Sequence, residues 1–126
     1  MHGLTKEPMM KIVINTCFGG FGISDAGILR IAELKDIKLY PEIEHGFTTY
    51  YLKPKNERTE DEYSVLIQYS LERTDPALIQ TIEELGSKAN GSCAELRIVE
   101  IPDDVQWQIA EYDGSEHIAE VHRTWG

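Results

Sequence analysis

The stretch that decides the fold is Lys11-Ile12-Val13-Ile14-Asn15-Thr16-Cys17-Phe18-Gly19-Gly20-Phe21-Gly22-Ile23-Ser24-Asp25. Its first half is a short apolar, β-branched run, which reads as a buried strand. Phe18 to Gly22 breaks that run with three glycines. Ser24 and Asp25 are good N-cap residues, and Ile28, Leu29, Ile31, Ala32 and Leu34 then recur at helical spacing as far as Lys35. The reading is strand, glycine loop, helix.

Before this unit, residues 1–9 read as a flexible leader, and one domain is expected over 10–126. After it, residues 37–53 are β-formers punctuated by Pro41 and Gly46. Lys53 to Glu62 is polar throughout and reads as a loop. Tyr63 to Leu71 alternates, with Val65, Ile67 and Tyr69 on one face, and reads as a strand. Thr74-Asp75-Pro76 starts a second helix, because proline fits the first turn, where its missing N–H costs nothing. Leu78, Ile79, Ile82 and Leu85 form its apolar face, Gly86 stops it, and Asn90-Gly91 reads as a turn. Strands follow around Leu96–Ile101 and Val105–Ile109. Asp113-Gly114 signals a hairpin, whose return strand is expected over 116–125, with a final helix as the alternative. Strands interrupted by two helices indicate an α+β fold with a mixed or antiparallel sheet.

Composition narrows the function. A chain of 126 residues, 41% hydrophobic and 27% charged, fits one globular domain. Its two cysteines, Cys17 and Cys93, are too few for a disulfide scaffold and suit a reducing, cytoplasmic setting. No apolar run reaches the roughly 20 residues of a membrane span. The net charge is −10, and residues 72–126 hold 4 basic and 12 acidic side chains. Long nucleic acid is therefore excluded as the main partner. A small anion in a pocket is not.

The glycine loop is the main candidate site. Gly19, Gly20 and Gly22 would let backbone N–H groups approach a phosphate at a helix start, with Ser24 at the cap. Phe18 and Phe21 would stack on a base. The spacing departs from both the dinucleotide fingerprint and the P-loop, and a tight turn with two core phenylalanines is the alternative. Arg73 or Arg123 would neutralise phosphate, Asn90 would hydrogen-bond a base or sugar edge, and Trp125 would add a stacking surface. Cys17 lacks phosphatase spacing, and His117 and His122, five apart, match no metal motif. No catalytic set, metal ligand set or cofactor is assigned.

Lys11–Ser24 (KIVINTCFGGFGIS), Arg73–Pro76 (RTDP), Glu84–Gly91 (ELGSKANG) and Val99–Trp125 (VEIPDDVQWQIAEYDGSEHIAEVHRTW) resemble a family of small phage and prophage proteins. Residues 36 to 71 carry no part of the resemblance. It implies an accessory protein of the host cytosol. Some small phage proteins sequester nucleotide signals of bacterial defence, such as those of Thoeris or the cyclic oligonucleotides. The likeness to such sponges lies in size, context and α+β pattern. The expected function is capture of a phosphorylated, nucleotide-like ligand by a homo-oligomer. The alternatives are a nucleotide-processing enzyme using Cys17 or His122, and a protein–protein inhibitor of a host factor acting through the acidic face.

Overall fold

The computed structural model describes residues 8–58 and 67–121. Strand β1 (Met9–Asn15) leads through the glycine loop into helix α1 (Asp25–Lys35). The hairpin β2 (Tyr40–Glu44) and β3 (Phe47–Tyr51) follows, then a short helix α2 (Ile67–Ser70) and helix α3 (Pro76–Leu85). The chain ends in β4 (Leu96–Pro102), β5 (Trp107–Tyr112) and β6 (Ser115–Glu120). The fold is α+β, and its strands form three two-stranded antiparallel sheets, β1–β4, β2–β3 and β5–β6.

Local chemistry sets the helix ends. The Ser24 hydroxyl accepts from the Gly27 N–H, and Asp36 closes α1 in the left-handed conformation. The Asp75 carboxylate accepts from the Ala77 and Leu78 N–H groups, Pro76 occupies the first turn, and Gly86 ends α3 at φ +59°. Both hairpins turn on two residues of positive φ, His45-Gly46 and Asp113-Gly114, the geometry that matches the right-handed twist of paired strands.

β1 is the centre of the molecule. It pairs with β4 so that Val13 faces Ile98 and Ile12 faces Val99. Alternation sends these two pairs to opposite faces. Val13 and Ile98 join the core made with Ile28, Ile31, Leu78 and Ile82 of the two long helices. Ile12 and Ile14 are equally buried but belong to the other side of the strand, and β6 packs next to β1.

The structure differs from the sequence reading in three places. Ile67–Ser70 is helical, not a strand. Ile67 is buried, and the Ser70 hydroxyl donates to its carbonyl at 2.7 Å, so an apolar anchor and a local bond hold the segment, and no strand among the described residues pairs with it. Residues 63–66 lie outside the described residues. The turn expected at Asn90-Gly91 falls at Gly91–Ala94, where the Ala94 N–H bonds the Gly91 carbonyl; Asn90 itself bridges to Ile23. Finally, β1 begins at Met9, and the Pro8 carbonyl accepts from the Asp103 N–H at 3.1 Å.

Candidate functional site

Three chain segments meet at the C-terminal end of β1: the loop 17–22, the turn 91–94 and the hairpin turn 113–114. Glycines allow the meeting. A Cβ on Gly19 would stand 2.2 Å from the Cys93 carbonyl oxygen, and one on Gly91 would stand 2.8 Å from the Gly22 carbonyl carbon. A Cβ on Gly114 would stand 2.5 Å from the Phe18 carbonyl oxygen. The loop's backbone is also engaged. The Gly22 carbonyl accepts from Gly91, and the Ser24 N–H donates to Ala89. Gly20 is different: its φ is +91°, and beyond its chain neighbours no atom of the described residues lies within 4 Å of where its Cβ would stand.

A buried polar network ties the same segments together. Asn15, fully buried, uses its side chain four times. Its amide nitrogen donates to the carbonyls of Cys17 (2.7 Å) and Gly114 (2.8 Å), and its Oδ1 accepts from the N–H groups of Cys17 (3.2 Å) and Glu95 (2.8 Å). The Asn15 N–H donates to Glu116 at 2.8 Å. Glu116 takes a two-pronged hydrogen bond from Arg73, at 2.6 and 2.9 Å. The Arg73 guanidinium also lies 3.7 Å from the centre of the Phe21 ring. The Arg73 carbonyl accepts from the Val13 N–H at 2.8 Å. Arg73 and Glu116 thus satisfy the edge of β1 that no strand covers among the described residues. Burial pushes the Glu116 carboxyl up, but the Arg73 hydrogen bonds, the Asn15 N–H and the Arg73 charge outweigh it and hold it below the usual glutamate value.

These contacts redistribute the expected site residues. Arg73 is committed to Glu116, Val13 and Phe21, so its charge is compensated inside the fold. Phe21 is half-buried under that guanidinium. Asn90 accepts from the Leu96 N–H at 3.0 Å, which anchors the start of β4. Ser24 caps α1, and its hydroxyl donates to the Lys88 carbonyl. Asp25, the first residue of α1, puts a carboxylate at the helix start, and burial together with that nearby charge pushes the Tyr50 hydroxyl up. Gly19 serves close packing, whereas a Cβ on Gly22 would meet only the Gly91 Cα, at an ordinary 3.8 Å. Phe18 remains on the surface, 69% exposed. Arg123, Trp125 and His122 lie outside the described residues.

Two residues that the sequence reading did not select stand exposed on the neighbouring strands β5 and β4. Tyr112, 77% exposed, ends β5 two residues before Gly114, against which the Phe18 carbonyl packs. Arg97 of β4 has a side chain 64% exposed, and among the described residues its ion pair is with Glu95, which is also open. Cys17 and Cys93 are free thiols, and no hydrogen bond joins either to a histidine among the described residues. No group of three His, Cys, Asp or Glu side chains among them is placed to hold a metal. No helix among them is long and apolar enough to cross a membrane. No protein-family model, curated protein or solved structure matches the chain.

Proposed function

We propose that this chain is a sequestering protein of the host cytosol that binds a small, phosphorylated, ring-bearing ligand, nucleotide-like in chemistry, and releases it unchanged. The observation that supports this best is the corner itself. Phe18 presents an open aromatic face on a turn pinned by the Asn15 bonds and by the Gly114 contact, with Tyr112 exposed on the flank. A turn fixed in this way holds the backbone that carries the ring, which lowers the ordering cost when a base stacks on it. Gly20, with no other described residue above it, leaves room for a group to approach the backbone. Arg97 takes the phosphate-neutralising part that Arg73 cannot take. Its exposed pair with Glu95 is worth only about 0–1 kcal/mol and is readily exchanged for a phosphate. Arg123 and Trp125 keep the parts the sequence suggested for them, and assembly into a homo-oligomer would let neighbouring copies enclose the ligand.

The test is calorimetry of the purified protein with a cyclic dinucleotide and with ADP-ribose, paired with mass spectrometry of small molecules released on denaturation. Phe18→Ala is expected to weaken binding by about 5- to 150-fold, the worth of one stacked base, and to leave the unfolding midpoint unchanged. Unchanged affinity in that variant would remove the corner as the site. Chemical conversion of either probe would replace the sequestering reading with the enzyme.

A further inference from the structure

A second feature lies away from this corner and is independent of the proposed function. The β5–β6 hairpin covers only part of the β1–β4 face that carries Ile12 and Ile14. Beyond its cover is a groove of about 320 Å³ walled by Val99 and Ile101 of β4, Pro102, Val105, Trp107 and Ile118. Among the described residues, the single charged one in its wall is Glu120. The turn that joins two of its wall residues, Pro102 and Val105, carries Asp103 and Asp104, both exposed. None of these three carboxylates is in an ion pair among the described residues. The groove runs beside β4, which pairs with β1 on one edge and with no described strand on the other.

An open strand edge offers backbone N–H and C=O groups to an incoming extended chain. Here that edge is bordered by an apolar groove and by unpaired acids, on a protein of net charge −10. We infer that the β4 edge and the adjoining groove form a docking surface for an extended segment of another protein whose residues alternate between apolar and basic. The segment adds as a third strand to β4. Alternate side chains then fall on one face, so its apolar residues enter the groove against Trp107, and the Lys or Arg side chains at the end of the segment beside the exposed turn meet Asp103 and Asp104. The acidic rim repels a second copy of this chain, and a cationic segment gains from it.

The test uses a fluorescein-labelled probe peptide of about eight residues, a strand's length, alternating Val and Lys, and a matching peptide of Val and Glu. Fluorescence anisotropy is expected to show binding of the Val–Lys peptide alone, weakening at least about tenfold when salt rises from low to high, because the contacts are partly charge–charge. Trp107→Ala is expected to weaken it by about thirtyfold or more, as for an interface anchor. The double variant Asp103→Asn/Asp104→Asn, whose turn lies outside the core, is expected to lose most of the salt dependence and to fold normally. Binding of both peptides alike, or of neither, overturns the inference. So does binding only by a chain cut after Val121, which would assign the groove to the protein's own C-terminal segment. Sedimentation of the wild type as a dimer dispersed by Trp107→Ala would assign it to a second copy and also overturn the inference.

Discussion

Replacing Arg73 by methionine is the perturbation that most directly probes how this fold is held. The variant keeps most of the side-chain stem and removes the guanidinium. Glu116, whose side chain is only 8% exposed, then keeps the Asn15 N–H but loses its two-pronged partner. Breaking a buried pair by deleting one member costs about 3–5 kcal/mol, since an uncompensated charge remains. Arg73 itself is 23% exposed, so water reaches the gap and the lower end applies, about 3 kcal/mol. Loss of the contact with Phe21 adds about 0.5–1 kcal/mol. Against a typical domain stability of about 5–15 kcal/mol, this is a large fraction. Urea unfolding followed by tryptophan fluorescence measures it. The pH dependence identifies the cause. In the wild type the Glu116 carboxyl sits below its ordinary value of 4.5, so it contributes stability above that pH and loses it as pH falls through its own lower value. In Arg73→Met only burial and the Asn15 N–H remain, burial dominates, and the carboxyl moves up. The penalty of the variant should therefore shrink between pH 7 and pH 4, as Glu116 becomes protonated. Adding Glu116→Gln to Arg73→Met should recover about half of the loss at pH 7. A penalty under about 1 kcal/mol at pH 7, or one that does not change with pH, would refute the argument.

Gly114→Ala is expected to cost at least about 2 kcal/mol, because its φ is +90° and its Cβ would strike the Phe18 carbonyl. Gly20→Ala, at a similar φ but in open space, should cost only about 1–2 kcal/mol, and the difference in urea midpoint reads the contact apart from the strain. Asn15→Ala should cost about 2–4 kcal/mol by leaving part-buried backbone groups of Cys17, Glu95 and Gly114 without their side-chain partner, with the loss of amide-exchange protection centred on Cys17 and Glu95. Asp75→Ala should cost about 1–2 kcal/mol through the lost cap of α3. Burial pushes the Asp75 carboxyl up, but the Lys35 hydrogen bond and the Leu78 and Ala77 N–H groups outweigh it and hold it below 3.8. The wild type's advantage over Asp75→Ala should therefore persist above that pH and fade as pH drops through the lowered value.

What the sequence determined by itself is everything whose cause lies within a few residues. Ser24 caps α1 because its hydroxyl meets an N–H three positions on, and Asp75-Pro76 starts α3 for the same kind of reason. Asp113-Gly114 makes a tight hairpin because both residues tolerate positive φ, and Ile12 to Ile14 reads as buried because a branched apolar run has no other stable place. These signals were enough for an α+β fold in the observed order. The segment 67–70 was misread because alternation over so few residues does not separate a strand from a single helical turn anchored by Ile67.

The site was far less legible. Three glycines after a strand and before a capped helix are compatible with holding a phosphate or with letting backbones touch. Nothing local separates the two. Only the tertiary structure brings Cys93 against Gly19, Gly91 against Gly22 and Gly114 against Phe18. Arg73 was equally ambiguous, since a guanidinium suits an anion of any origin. The fold supplies that anion from its own chain, Glu116, 43 residues away in sequence. Asn15 carried no signal beyond being an amide at the end of an apolar strand. Its importance arises from side-chain partners up to 99 residues distant. Such long-range pairing is decided by which polar groups the collapsed core strands together. A buried group must find a partner wherever the packing places one, and sequence spacing does not record that place.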